Sequence, residues 1–208
     1  MSKSRPMYKQ IVIGIDQSYT NTGISVSADG KLLDIKSIQL HKLKSHTERR
    51  RTLSRRLDVL LQKCKQHASE VVCVVERTRL HGGETSFINI HAIKAMGALI
   101  AVIVDQCAMY DVAVFSVDTR TWKAAVVGTS RPMANKYGVQ PQKWPTIKWL
   151  CGLGYEDKIL IDLSNTKQIK GTFVRNGKKY KYNDDAADSA GIAMYWWLGD
   201  RNKLQQEK

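Results

Sequence analysis

Four carboxylates stand where ionised side chains are costly. Two apolar, β-branched runs, Gln10-Ile-Val-Ile-Gly-Ile-Asp16 and Glu70-Val-Val-Cys-Val-Val-Glu76, each read as a strand covered on both faces, and each ends on an acid. A charge at the end of a buried strand needs compensation. In Asp184-Asp185-Ala-Ala-Asp188, the residues Asp185 and Asp188 are i and i+3 of a predicted helix and so share a face. Brought together, Asp16, Glu76, Asp185 and Asp188 form an oxygen-only ligand set, which suits Mg²⁺, with Mn²⁺ as a substitute. Two such ions about 3.5–4 Å apart activate water and stabilise the leaving oxygen in phosphodiester hydrolysis. The same acids also have a plainer reading. Asp184, Asp185 and Asp188 suit a helix N-terminus, where acids meet the macrodipole favourably, and Asp16 and Glu76 suit solvent-facing strand ends, with Arg77 as a partner for Glu76.

Positioning these acids requires a particular chain path. Gly23 to Ala28 and Leu32 to Ile38 flank an Asp29-Gly30 turn and, with the first run, predict three sequential antiparallel strands. From Thr47 to about Ala68, the apolar Leu53, Leu57, Leu60, Leu61 and Cys64 fall at helical spacing among Arg49, Arg50, Arg51, Arg55 and Arg56, which predicts a basic amphipathic helix. Ser86 to Tyr110 predicts a long apolar helix between the strand ending at Glu76 and a strand over Val112 to Val117, a right-handed parallel crossover. Short helices are predicted over Thr121 to Val127 and Gln142 to Cys151. Asn176-Gly177 between alternating segments predicts a hairpin. The last helix is predicted from Asp185 to Leu204.

With 208 residues, 43% apolar and 25% charged, the chain is long enough for one well-cored domain. The net charge of +14 makes a polyanion the first partner to consider. The stretch from Lys42 to Lys65 is strongly basic, and that from Lys167 to Lys181 contains no acid. Solvated faces are the ordinary reading of such runs; beside the acids they also suit phosphate contacts. Lys178, Lys179 and Lys181 interleave with Tyr180 and Tyr182, as in a surface lying along a nucleic-acid backbone or stacking on bases. Cys64, Cys73, Cys107 and Cys151 form no CxxC pair and read as small buried hydrophobes. The five histidines show no metal spacing, and the five tryptophans read as packing or dimer contacts. No apolar run approaches membrane-spanning length, and Met1 to Met7 lacks a signal-peptide core, so a cytoplasmic protein without a membrane partner is expected.

The order Ile13-Gly-Ile-Asp16 with Thr22-Gly23, Val75-Glu76, Thr121-Trp-Lys-Ala-Ala-Val-Val-Gly128 and Asp185-Ala-Ala-Asp188 resembles the RuvC-type Holliday-junction resolvases over roughly Ile11 to Tyr195. The resemblance implies an RNase H-like α/β domain over residues 1–208. Its five-stranded mixed sheet would have the first three strands antiparallel and be flanked by helices, while the basic hairpin region over 157–183 reads as an insertion relative to the family. It implies Asp16, Glu76, Asp185 and Asp188 as catalytic, metal-binding acids using Mg²⁺ or Mn²⁺. Lys123 would be a functional lysine near the scissile phosphate, and Lys143 matches a second lysine at the DNA. The bacterial members carry an aromatic residue after the fourth-strand acid. Here Arg77-Thr-Arg79 follows, so Arg77 and Arg79, with Lys178, Lys179 and Lys181, are read as DNA contacts, and Phe87 is a candidate substitute for the aromatic. The implied partners are four-way or branched DNA and a second copy of the chain, because a junction needs two matched incisions.

Three other readings remain open at this level. A related nuclease acting on RNA–DNA hybrids or flaps would carry the same acids. Gly14 to Gly23 also resembles the phosphate loop of actin-like and sugar-kinase ATPases, but those pair two related domains; one copy fits here, so no nucleotide cofactor is expected. A non-catalytic branched-DNA-binding module would share the fold, although four unneeded acids would repel DNA.

Overall fold

The computed structural model describes residues 7–77, 90–135, 137–163 and 172–207. A central sheet is built from β1 (Tyr8–Asp16), β2 (Asn21–Ala28), β3 (Lys31–Gln39), β4 (Ala68–Glu76), β5 (Ala113–Val117) and β9 (Gln205–Glu207), in the order β3-β2-β1-β4-β5-β9. The first three strands are antiparallel, β4 and β5 run parallel to β1, and β9 returns antiparallel on β5. The mixed α/β fold expected from the sequence is present, with β9 as a sixth strand.

The two continuous apolar runs follow from burial on both faces. Ile11, Ile13 and Ile15 of β1 and Val71, Cys73 and Val75 of β4 face one core with α1 (His46–His67) and α2 (Ile90–Met109). Val12, Val72 and Val74 face a second core with α4 (Trp144–Gly152) and α5 (Asp184–Leu198). Between β5 and α4 lie α3 (Thr119–Trp122) and a π-helical turn over Lys123–Val127. A capping box fixes the start of α1: Glu48 N–H donates to Ser45 Oγ at 3.1 Å, and Ser45 N–H donates to Glu48 Oε2 at 3.2 Å. Cys64, Cys73 and Cys107 are buried and free, as expected, whereas Cys151, also free, is only partly buried at the end of α4. Among the described residues, no helix is long and apolar enough to cross a membrane.

Two glycines set the closeness of α5 to the sheet. A Cβ on Gly14 would fall on the backbone of Ser189 and Ala193, and one on Gly23 would fall on the Asp185 carbonyl. Helix and strands therefore meet backbone to backbone, helped by Ala186, Ala187, Ala190 and Ala193 on the helix. Gly23→Ala is expected to push away the helix turn carrying Asp185 and to destabilise the protein by about 1–3 kcal/mol or more, as overpacked cores do; chemical denaturation measures this, and an unchanged midpoint would mean that α5 can shift freely.

The last helix stops at Leu198 rather than at Leu204. Gly199 takes an extended conformation under the Tyr195 ring, where a side chain would collide, and Asp200 then caps a short 3-10 turn leading into β9. A second sheet, in the order β6-β8-β7, comprises β6 (Leu160–Asp162), β7 (Thr172–Arg175) and β8 (Lys178–Tyr182). β7 and β8 form the hairpin around Asn176-Gly177, both residues having positive φ.

Candidate active site

Asp16 ends β1 and Glu76 ends β4, and the two strands are parallel neighbours with Ile15 opposite Val75. Both acids therefore leave the same end of the sheet. Gly23 of β2 lies opposite Asp16, and the first turn of α5 rests on it. That contact places Asp185 at the same end, with Asp188, only 2% exposed, one turn further along. The α5 cap is Asn183, whose Oδ1 accepts from Ala186 N–H at 3.2 Å. Asp185 and Asp188 are thus free of the capping role.

Each acid has a partner that orients it. Asn21 Nδ2 donates to Asp185 Oδ2 at 2.7 Å. Trp122 Nε1, on a fully buried ring, donates to Glu76 Oε2 at 3.1 Å, and Thr119 adds a second side-chain hydrogen bond. The Gln17 amide donates to the Glu76 carbonyl. None of these groups is read from the sequence as orienting an acid; Trp122 lies in the Thr121–Gly128 segment but reads there as a packing or dimer-contact residue. Asn183, directly before the acids, carries a legible capping signal that the sequence reading lacks.

Two lysines enter the acid cluster. Lys143, just before α4, places Nζ 2.6 Å from Asp188 Oδ2 and 3.9 Å from Asp16 Oδ2. Lys123, at the start of the π-helical turn and 5% exposed, lies 3.5 Å from Asp188 Oδ1 and donates to the Gln142 carbonyl at 3.1 Å. Single π-helical turns frequently mark functional positions.

The electrostatics are those of acids crowded out of water. Burial pushes Asp16 well above the usual carboxylate range; Asp188, Glu76 and Asp185 push it further, and Lys143 pulls it back. Burial likewise raises Glu76, against its hydrogen bonds from Thr119 and Trp122, and raises Asp185, against its bond from Asn21. For Lys143, burial alone would lower the value, but Asp188 and Asp16 more than offset it and hold the ammonium well above its ordinary range.

Of the residues singled out in the sequence, Asp16, Glu76, Asp185, Asp188, Lys123 and Lys143 converge here. Arg77 lies beside β5, its backbone N–H bonded to the Val117 carbonyl at 2.8 Å and its Nε 3.5 Å from Ser116 Oγ. Lys178, Lys179 and Lys181 stand on β8 and, among the described residues, form no ion pair. Strand alternation separates them: Lys179 and Lys181 share a face with Val174 and Thr172, while Lys178 lies on the opposite face with Tyr180 and Tyr182. Tyr182, 3% exposed, is packed against Phe173 and unavailable for base stacking. Arg79 and Phe87 lie outside the described residues.

The donor set fits a divalent cation. All four candidate ligands are carboxylates, and Asp188 Oδ1 is buried without a hydrogen bond. Among the described residues, no three acidic, histidine or cysteine side chains form a ready metal cage, and the Lys143 ammonium stands within ion-pair range of two of the acids.

No protein-family model and no curated protein matches the chain. Solved structures do. Thermus thermophilus RuvC aligns over 95% of this chain and 99% of its own, with a TM-score of 0.57 at 16% identity. The T. thermophilus RuvC structure in complex with Holliday junction substrate gives a TM-score of 0.60 at 14% identity, with the same coverage. The yeast mitochondrial Holliday junction resolvase Ydc2 gives 0.52 at 15% identity, over 93% of this chain and 80% of its own. The acids of β1, β4 and α5 thus gather at one end of a sheet whose path is that of these structures: the chain has the RuvC-type, RNase H-like fold.

Proposed function

We propose that the protein is a metal-dependent, structure-selective endodeoxyribonuclease that resolves four-way DNA junctions, and related branched DNA, by paired symmetric nicks. The observation that carries this reading is the convergence of Asp16, Glu76, Asp185 and Asp188 on Lys143 and Lys123 within this fold. One neighbour of the same fold was solved with a Holliday junction, and the +14 charge suits a polyanionic substrate.

The four acids would hold Mg²⁺ or Mn²⁺, which would supply water activation and charge stabilisation in phosphodiester hydrolysis. The chain's own groups do the rest. Asn21 and Trp122 orient Asp185 and Glu76 before substrate arrives. The Lys143 and Lys123 ammoniums offer fixed positive charge to a phosphodiester brought to the cluster, where charge develops in the transition state. A homodimer would supply two such sites related by a two-fold axis.

Labelled four-way junction, replication fork, linear duplex and RNA–DNA hybrid, each incubated with Mg²⁺ or Mn²⁺, test the reading. Symmetric paired nicks in the junction are expected. Cleavage of the hybrid alone would move the protein to the ribonuclease H branch, and tight junction binding without cutting would leave a binding module. Neutralising Lys178, Lys179 and Lys181 is expected to weaken junction binding and flatten its salt dependence, by a slope of about 0.9 for each phosphate that is no longer neutralised. Titrations at several salt concentrations read this, and an unchanged slope would remove the hairpin from the DNA interface.

A further inference from the structure

Lys143 must hold its ammonium against Asp188, yet no side chain caps the helix that it precedes. Its backbone is fixed by hydrogen bonds from the Lys143 and Trp144 N–H groups to the Gln140 carbonyl, at 2.9 and 3.2 Å. What ties this corner to the acid helix is aromatic. The Trp144 ring lies 5.0 Å from Tyr137 and 5.9 Å from Tyr182, and Phe173 stacks on Tyr182 at 4.8 Å. Tyr182 is followed directly by Asn183, the cap of α5. One buried ring therefore touches the neighbour of the site lysine and adjoins the start of the helix carrying Asp185 and Asp188. Its far end is also held: the hydroxyl donates to Glu156 Oε1 at 2.8 Å, and Arg175 pairs with Glu156 at 3.3 Å.

We propose that Tyr182, with Trp144 and Phe173 packed on it, is a positioning residue that sets Lys143 against Asp188, an inference that rests on the nuclease reading above. The two faces of the small sheet then have separate duties. The inner aromatic face serves the site through Lys143, and the outer face presents Lys179 and Lys181. A reacting group misplaced by about 1 Å loses on the order of a hundredfold in rate, so a ring that merely fills the core and one that registers the ammonium predict different kinetics.

The test uses the full chain with Tyr182→Leu, Tyr182→Phe, Lys143→Met and the Tyr182→Leu/Lys143→Met double variant. Single-turnover junction cleavage, junction affinity and labelling of individual lysines by an amine-reactive reagent are measured where circular dichroism shows each variant folded. Tyr182→Leu is expected to lower the rate roughly 10- to 100-fold with affinity unchanged, and Tyr182→Phe to keep most of the rate because the ring remains. In the Lys143→Met background, adding Tyr182→Leu is expected to cost nothing further, the mark of two residues acting through one group. Lys143 labelling is expected to rise in Tyr182→Leu while that of Lys148, exposed on α4, stays constant. Additive rate losses, or Lys143 labelled at the wild-type rate, would overturn the proposal. Should the wild type cut no branched DNA, the nuclease reading fails, and the labelling still decides the positioning. If Tyr182→Leu does not fold, Phe173→Leu carries the same measurements.

Discussion

Asp16→Asn is expected to abolish cleavage of branched DNA and to raise the thermal stability of the metal-free protein. The substitution keeps the side-chain shape, so junction binding persists. Removing one anionic ligand, worth about 4 kcal/mol of transition-state stabilisation, lowers the rate on the order of a thousandfold. The stability gain follows from the sign of the shift. Burial and the neighbouring Asp188 raise the folded-state pKa of Asp16, so the folded protein binds that proton more tightly than the unfolded chain does. Stability is then lost as pH rises through the window between the two values, and the ionised group is a burden at neutral pH. Glu76 and Asp185 carry shifts of the same sign. In chelator, the wild type is therefore expected to gain stability as pH falls from neutral toward the ordinary carboxylate range near about 4. Asp16→Asn is expected to melt higher at neutral pH, by about 2–4 °C for each kcal/mol relieved, and to depend less on pH. Cleavage at the wild-type rate would remove Asp16 from the site. Identical melting curves would show that Lys143 already compensates its charge in full.

Lys143→Met is expected to act in the opposite direction on stability. It leaves Asp188, 2% exposed, without the 2.6 Å partner of Oδ2 and Asp16 without its nearest cation. Losing one member of a buried ion pair costs about 3–5 kcal/mol. Because the folded-state value of Lys143 is raised, its contribution is present across the neutral range and is lost only in strongly alkaline solution, so the destabilisation is expected at every neutral pH. Divalent cations distinguish this charge effect from a packing defect. Without the competing ammonium, the acids present more net negative charge, and Mn²⁺ is expected to bind more tightly in the absence of DNA. Each tenfold gain in affinity adds about 1.4 kcal/mol of stabilisation at saturating metal. Melting temperatures across a Mn²⁺ series measure it: the increment is expected to be larger in Lys143→Met than in the wild type. Equal increments would mean that the ammonium does not compete for the acids.

What can be read from the sequence is whatever a single segment carries. The runs ending at Asp16 and Glu76 declare strands covered on both sides, because each uses consecutive β-branched residues, and Asp185 and Asp188 declare a shared face by their spacing. The turn at Asn176-Gly177 is likewise local. The groups that orient the acids are not. Asn21 meets Asp185 across 164 positions and Trp122 meets Glu76 across 46, and no local pattern distinguishes these side chains from ordinary polar or core residues. Lys143 matches a family lysine only loosely in sequence, yet it makes the shortest ion pair in the acid cluster. The hairpin lysines read as one basic group until the β8 pairing puts Lys178 on the opposite face from Lys179 and Lys181. β9, with the polar Gln205–Glu207, has no strand signature of its own and exists because β5 offers it an edge.

The backbone contact of α5 on Gly14 and Gly23 distributes stiffness unevenly across the site. At Gly14 and Gly23 no side chain lies between that helix and β1 or β2 to absorb a displacement, so Asp16, Asp185 and Asp188 are mounted on what is mechanically one frame. The positive charges hang differently: Lys143 at the end of the loop entering α4, and Lys123 on a π-helical turn. The cations are thus registered to the anionic frame by supports of their own, the aromatic cluster for Lys143 and the Gln142 carbonyl for Lys123, rather than by the frame itself.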